Sequence, residues 1–187
     1  MKEQKKIIRQ EVKQAIAVLP GEYCDQADEK IRRHVMVLTE YSDAGTIFCF
    51  VGTDTEINTI PILEQILQSG KRLGVPKCVG KGIMEVYEIR SLDELVPGKY
   101  GIQEPREGLP LILPQEINLA LVPCLSCNEN GWRLGYGGGF YDRYLAKTKA
   151  TRAVLCRSRL MRDEIPVDAY DLKMNYVITE KGIVSVE

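Results

Sequence analysis

The strongest constraint on the fold is the alternation of short apolar runs with segments of helical periodicity. The predicted strands lie at residues 46–51, 72–76, 84–89, 119–123, 152–156 and 176–179. The predicted helices lie at residues 3–19 and 22–41, between Pro61 and Gly70, and at residues 140–149. Alternating strands and helices build a mostly parallel sheet with helices on both faces. We therefore expect an α/β fold in which residues 1–187 form a single domain.

Size and charge limit the classes of function. A chain of 187 residues and 21.1 kDa is long enough for one α/β domain and short for two. Its 25 basic and 26 acidic side chains give a net charge of -1, which does not favour binding to nucleic acid or to an anionic membrane. The charged amino terminus lacks the apolar region of a signal peptide, and no run approaches the roughly 18 apolar residues of a membrane span. A cytoplasmic location is therefore expected.

Residues 131–145 contain a glycine-rich stretch that precedes a predicted helix. Its clustered glycines are Gly135, Gly137, Gly138 and Gly139. Such a loop lets backbone N–H groups approach an anion closely, and a following helix adds the positive end of its dipole. Arg133 could add a planar cation, and Asp142 is a natural oxygen ligand for magnesium. The pattern predicts a phosphate-binding loop, but a loop crowded against a neighbouring strand would also need glycines. Neither common glycine motif for nucleotides is present.

Other polar features have a structural alternative beside a functional one. Lys5, Arg9 and Lys13 recur every four residues and form a basic edge on the first helix, which could equally be a solvated face. The loop at 52–59 follows a predicted buried strand, where open α/β sheets place ligands, and Lys77 is expected just beyond the end of the next strand. The loop at 97–116 is long and rich in proline, which is typical of functional loops.

The cysteines and the single histidine do not define a site by themselves. Cys124-Leu-Ser-Cys127 is a C-x-x-C pattern that could serve redox or metal chemistry. A zinc site needs further ligands, however, and His34 is far away in the sequence. We expect His34 to be a packed histidine at the edge of its helix. The role of the Cys124 and Cys127 pair stays open at this point.

Taken in order, several short motifs resemble those of the 5-formyltetrahydrofolate cyclo-ligase family, also called methenyltetrahydrofolate synthetases. The most specific is Arg133-Leu-Gly-Tyr-Gly-Gly-Gly-Phe-Tyr-Asp-Arg143, and the second is Gly101-Ile-Gln-Glu-Pro105. The weaker ones are Lys5-x-x-x-Arg9, Glu56-Ile-Asn-Thr59, Pro76-Lys77, Val122-Pro123 and Thr179-Glu180. The resemblance covers essentially the whole chain. It implies the three-layer α/β/α architecture shared with ribose-phosphate isomerases and CoA transferases.

The resemblance also implies an activity. Members of this family close 5-formyltetrahydrofolate to 5,10-methenyltetrahydrofolate, using ATP and Mg²⁺ and releasing ADP and phosphate. In such enzymes ATP phosphorylates the formyl oxygen, nitrogen 10 attacks the resulting iminium carbon, and phosphate leaves. Phosphoryl transfer depends on positioning and charge neutralisation more than on a covalent nucleophile. The partners that the resemblance implies are a folate and ATP. The expected oligomeric state is a monomer or a weak homodimer.

Site roles follow from the resemblance residue by residue. The implied ATP-binding residues are Lys5, Arg9, Arg133, Leu134, Gly135, Tyr136, Gly137, Gly138, Gly139, Phe140 and Tyr141. The implied folate-binding residues are Thr53, Glu56, Gly101, Ile102, Glu104 and Tyr141. Arg133 and Tyr141 would be catalytic, and Asp142 and Asp171 would bind the metal.

Three departures from the family pattern keep alternatives open. The chain has Asn58 and Asn128 where members commonly carry aspartate, and Tyr170 where a histidine often stands. A nucleotide-binding relative without turnover would fit these differences. A phosphosugar isomerase or CoA-transferase-like enzyme is a third hypothesis, but it is not favoured by the basic first helix and the paired carboxylates.

Overall fold

The chain folds around one large sheet, seen in a computed structural model that describes residues 1–186. The strands before the middle of the chain are β1 (Thr46–Cys49), β2 (Arg72–Gly80), β3 (Ile83–Ile89), β4 (Leu95–Pro97), β5 (Gln103–Pro105) and β6 (Leu111–Ile112). The later strands are β7 (Leu119–Val122), β8 (Ser126–Cys127), β9 (Arg133–Leu134), β10 (Thr151–Leu155), β11 (Tyr176–Thr179) and β12 (Gly182–Ser185). The α-helices are α1 (Lys2–Ala17), α2 (Gly21–Met36), α3 (Thr39–Asp43), α4 (Ile60–Gln68) and α5 (Phe140–Leu145).

The sheet is mostly parallel, as the sequence predicted. Its strand order is β12-β11-β10-β7-β1-β2-β3-β6, and the five strands from β11 to β2 are parallel. The other three pair antiparallel at the two edges. The pairs β4–β5 and β8–β9 form two small separate ribbons.

Two hydrophobic cores cover the two faces of the sheet. Alternate residues of each central strand point to opposite faces, so Ile47 and Cys49 enter one core and Phe48 enters the other. Helices α2, α3 and α4 pack on the first face. Helices α1 and α5 pack on the second, through residues such as Val12 and Leu145. This is the expected three-layer α/β/α arrangement.

Several boundaries differ from those predicted. The helix predicted at 22–41 is interrupted, because Leu38 adopts an extended backbone and buries its side chain before α3 begins. The prediction that Lys77 follows its strand is wrong, since β2 continues to Gly80 and Lys77 pairs with Glu85 of β3. The helix predicted at 140–149 ends at Leu145 and continues as tight turns.

Two further differences concern short strands. The loop predicted at 97–116 contains β5, β6 and two turns of 3-10 helix. Strand β12 has no counterpart among the predicted strands, because it is a half-exposed edge strand without a continuous apolar run. Among residues 1–186, no helix is long and apolar enough to cross a membrane.

Candidate active site

The sheet topology places a crevice at one defined position. From β1 the chain moves to β2 on one side, and it later returns to β7 on the other side. The carboxyl ends of β1 and β7 therefore border a topological switch point, where open α/β sheets bind ligands. The loop at 52–59 follows β1, and Pro123 follows β7. The glycine loop, residues 135–139, reaches the same edge because Arg133 Nη1 donates a hydrogen bond of 3.2 Å to the Pro123 carbonyl oxygen.

Helix α1 lies against the glycine loop. Arg9 Nε donates a hydrogen bond of 2.8 Å to the Gly135 carbonyl oxygen. A Cβ atom at Gly137 would lie 3.3 Å from Arg9 Cζ, and the φ of +101° at Gly137 is one that other residues rarely adopt. Gly137 and Gly138 are exposed, so their backbone N–H groups are accessible. Of the basic edge on α1, Lys5 and Arg9 turn inward, whereas Lys13 is exposed.

Lys5 is a buried cation held by two carboxylates. Its side chain is 9% exposed and forms ion pairs with Asp168, at 2.9 Å, and with Asp171. Burial alone would lower the pKa of Lys5, but the hydrogen bonds to Asp171 and Asp168 outweigh it and raise the pKa. The backbone N–H of Leu172, the residue after Asp171, donates a hydrogen bond of 3.4 Å to Asp142 Oδ1. The two residues predicted to hold a metal thus belong to segments that contact each other.

Arg133 is the best-anchored cation of the site. Its Nη2 lies 3.0 Å from Asp142 Oδ2, and its guanidinium carbon lies 5.6 Å from the centre of the Tyr141 ring. The side chain is 4% exposed. Arg133 Nε is buried and, within residues 1–186, has no hydrogen-bond partner. An unpaired buried donor is costly, so its presence is typical of a site that a ligand completes.

Glu56 faces two tyrosines of the glycine-loop segment. Its Oε2 accepts a hydrogen bond of 3.0 Å from the Thr53 backbone N–H. Burial, and after it the charge of Glu56, raises the pKa of both Tyr136 and Tyr141. The Tyr141 ring also stacks on Phe48 with a centroid distance of 6.0 Å. Glu56 is thus close to Tyr141, with which the sequence grouped it, and also to Tyr136, which lines the same small cavity. Both hydroxyls stay protonated at neutral pH.

A buried ion pair, which the sequence analysis missed, holds the Glu56 loop in place. Arg157 donates two hydrogen bonds to Asp28, of 2.8 and 2.9 Å, and a third of 2.8 Å to the Glu56 carbonyl oxygen. Asp28 in turn accepts a hydrogen bond of 2.8 Å from the Asn58 backbone N–H. The only sequence signal for Arg157 is a charged residue directly after a predicted buried strand. Its partner, 129 residues earlier, gives no signal.

The segment that carries the second motif contacts both β2 and α5. Glu104 is buried, and its Oε1 accepts a hydrogen bond of 3.1 Å from the Cys78 backbone N–H. Tyr100, with an unusual φ of 60°, places its ring edge-on to Phe140 at a centroid distance of 6.5 Å. Gly101 is exposed and Ile102 is half-buried. Glu104 therefore fixes this segment to the sheet, and Tyr100, just before Gly101 and Ile102, contacts the first residue after the glycine loop.

Arg143 is a second residue to which the sequence analysis gave no role. Its Nη1 donates hydrogen bonds of 3.0 Å to the Gly138 carbonyl oxygen and 3.4 Å to that of Gly82. Gly82 has a φ of +69°, which other residues rarely adopt, and a Cβ atom there would lie 2.0 Å from Arg143 Nη1 and displace this side chain. Arg143 thus ties the glycine loop to the turn between β2 and β3.

The residues that depart from the family pattern have local structural roles. Asn58 Oδ1 accepts a hydrogen bond of 3.1 Å from the Ile60 backbone N–H at the start of α4. Asn128 Oδ1 accepts one of 3.0 Å from Trp132 and closes the turn between β8 and β9. Tyr170 is 86% exposed. His34 is a packed histidine, as predicted, with Nδ1 2.7 Å from the Thr179 carbonyl oxygen.

Glu180 joins β11 to the segment after β10, and its environment gives a pH-dependent stability. Burial would raise its pKa, but hydrogen bonds from Ser158 and Tyr23 outweigh burial and lower the pKa below the ordinary 4.5. A depressed folded-state pKa stabilises the fold above the unfolded value, and this contribution is lost as the pH falls through the folded-state pKa. Between about pH 7 and about pH 3, we expect Tm to fall further for the wild type than for Glu180→Gln. Equal losses, measured by thermal unfolding, would contradict this assignment.

Comparisons with known proteins agree on one family. The sequence model of the 5-formyltetrahydrofolate cyclo-ligase family matches residues 1–180. A probable 5-formyltetrahydrofolate cyclo-ligase of Schizosaccharomyces pombe is 27% identical over 91% of this chain and 92% of its own length. The 5-formyltetrahydrofolate cyclo-ligase of Mycolicibacterium smegmatis is 33% identical over 75% of this chain and 77% of its own. The solved 5,10-methenyltetrahydrofolate synthetase of Aquifex aeolicus superposes with a TM-score of 0.86 at 27% identity, covering 98% of this chain and 93% of that one.

Proposed function

Because the chain belongs to the 5-formyltetrahydrofolate cyclo-ligase family, we propose that it closes 5-formyltetrahydrofolate to 5,10-methenyltetrahydrofolate with conversion of ATP to ADP and phosphate. The observation that carries this proposal is the meeting of Arg9 and Arg133 with the exposed glycine loop at the switch point of the sheet. The chain is thus an ATP-dependent ligase. A cytoplasmic enzyme that is monomeric or weakly dimeric stays a prediction from the sequence.

The phosphate end of the site is proposed at the glycine loop. Backbone N–H groups of Gly137 and Gly138 would bind phosphate oxygens, and the guanidinium of Arg9 lies beside them. Arg133, with its unpaired buried Nε, would neutralise the charge that develops during phosphoryl transfer. Tyr136 and Phe140 flank glycines of the loop and would enclose the nucleotide, whereas Leu134 is buried and would offer only its backbone.

The chemistry of the two carboxylates suits magnesium. Asp142 contacts the backbone of the residue that follows Asp171, and Mg²⁺ commonly uses one or two carboxylates together with phosphate oxygens and water. Bound there, the ion would neutralise phosphate charge during transfer. Arg133 and Lys5 now pair with these carboxylates, and phosphate oxygens would offer both cations alternative partners.

The folate end is proposed around Glu56 and Tyr141. Glu56 is fixed by Thr53 and by the Arg157–Asp28 pair, so its carboxylate can orient N–H groups of a pterin ring. Tyr141 keeps its proton, because its pKa is raised, and can donate a hydrogen bond to the formyl oxygen. Gly101 and Ile102 would close the pocket from the opposite side, with Glu104 holding their segment in place.

A spectrophotometric assay tests this function. The purified protein with 5-formyltetrahydrofolate, ATP and Mg²⁺ should produce the methenyl chromophore together with an equal amount of ADP. Omission of ATP or chelation of Mg²⁺ should stop the reaction. Absence of the chromophore at saturating ATP, Mg²⁺ and folate would reject the proposal.

A further inference from the structure

Three thiols meet beside the candidate active site. Cys124 follows β7, Cys127 ends β8, and Cys156 follows β10. Strands β7 and β10 are parallel neighbours, so the residues after them lie side by side. As a result the Sγ atoms of these three cysteines all lie within 4.8 Å of one another. The sequence showed only the C-x-x-C pair, since the third thiol comes from a different strand.

The three thiols are reduced and border a small cavity. Cys127 and Cys156 are buried and Cys124 is half-buried, and none of the three is in a disulfide. The residues that line a cavity of about 20 Å³ include Cys124 and Cys156 of the cluster and also Glu56 and Tyr136. A space of this size holds one water molecule. The cluster therefore has room for one further small ligand, on the side of the candidate active site.

We propose that Cys124, Cys127 and Cys156 bind one thiophilic divalent cation of the zinc group. Three thiolates plus one water complete the tetrahedron that Zn²⁺ prefers, and the cavity accommodates that water. In a tetrahedron with Zn–S bonds of about 2.3 Å, the sulfur atoms are roughly 3.8 Å apart. The present separations, at most 4.8 Å, thus require shifts of no more than about 1 Å. One cation and one water would replace three thiol protons, giving a complex of net charge -1 and three released H⁺.

Because the thiol cluster lies beside the candidate active site, metal binding there should affect the activity of the enzyme. Glu56 lines the same cavity as Cys124 and Cys156, so a metal-bound water there would lie beside the proposed folate end. An occupied cluster should therefore lower cyclo-ligase turnover. This second step rests on the proposed function, whereas the metal site itself does not.

Cadmium titration of the reduced, metal-free, full-length protein tests the site directly. Cd²⁺ reports thiolate ligation by charge-transfer absorbance, which should saturate at one equivalent. Cys156→Ser should lower the absorbance per bound Cd²⁺ by about a third and weaken binding at least about tenfold, because one ligand of three is lost. Cys24→Ser is the matched control, since Cys24 lies on α2 outside the cluster, and should behave like the wild type. Absence of a saturable thiolate band, or wild-type behaviour of Cys156→Ser, would overturn the proposal.

A second variant and a turnover measurement complete the cadmium experiment. If thermal unfolding shows that Cys156→Ser does not fold, the half-buried Cys124→Ser should give the same loss of absorbance. Separately, one equivalent of Cd²⁺ should inhibit turnover of the wild type and of Cys24→Ser but not of Cys156→Ser. Full turnover with Cd²⁺ bound would reject the coupling to the active site. A metal-free wild type without any turnover would reject the proposed function, and the absorbance titration would still decide the metal site.

Discussion

Replacement of Arg133 by lysine is expected to lower kcat/KM for the ATP-dependent cyclisation by about 10²- to 10³-fold. Lysine keeps the positive charge but cannot reproduce the planar fork that joins the Pro123 carbonyl oxygen, the Asp142 carboxylate and the face of the Tyr141 ring. The decrease in kcat/KM should therefore arise because lysine cannot place its charge and hydrogen-bond donors where the guanidinium meets the transferring phosphate. Steady-state kinetics with the methenyl chromophore measures it.

A surface arginine serves as the control for Arg133. Arg90 has a side chain that is 84% exposed, and it lies 3.8 Å from Glu88 in a loose ion pair. Arg90→Lys should leave kcat/KM unchanged. Near wild-type kinetics for Arg133→Lys would contradict the role given to its guanidinium, provided that thermal unfolding shows both variants to be folded.

Replacement of Arg157 by methionine is expected to lower the free energy of unfolding by about 3–5 kcal/mol. Both partners of the ion pair are buried, so Asp28 would be left as an unpaired charge inside the protein. The Glu56 carbonyl oxygen would also lose its donor. Urea unfolding measures the decrease in the free energy of unfolding. Because the Glu56 loop would lose a support, the KM for the folate should also rise.

A more exposed ion pair on α2, the helix that carries Asp28, serves as the control for Arg157→Met. Glu29 pairs with Arg32 and Arg33 on the outer side of α2, with a side chain that is 40% exposed. Exposed pairs contribute at most about 1 kcal/mol, so Glu29→Gln should change stability little. If Arg157→Met were as mild as Glu29→Gln, the buried pair would not be the support of the Glu56 loop.

The centre of the fold was predictable from the sequence, and its edges were not. Strands β1 and β7 are buried along their whole length, and β10 is buried over its last three residues, so each contains a short apolar run that is easy to recognise. Strand β12 is half-exposed and lacks that pattern. The direction of β3 was also not predictable, because antiparallel pairing with β2 depends on the turn between them and not on composition.

Some features of the candidate site were likewise predictable from the sequence, and others were not. The glycine loop and the basic side chains of α1 are visible in the sequence, and the structure brings Arg9 and Gly135 into contact. The supporting contacts could not be read from one sequence, since they join residues far apart in the chain. The pair of Asp28 with Arg157 and the approach of Cys156 to Cys124 depend on strand order.

Binding of two nucleotides to Arg9→Ala tests the proposed phosphate site. If Arg9 and the glycine loop bind one triphosphate at its outer phosphates, the variant should lose affinity for the β- and γ-phosphates and not for the AMP part of the nucleotide. Calorimetry with a non-hydrolysable ATP analogue should show at least about tenfold weaker binding, while AMP binding stays unchanged. Lys13→Ala, on the exposed part of the same helix edge, should leave both affinities as in the wild type. Equal affinity of Arg9→Ala and the wild type for the ATP analogue would contradict the claim.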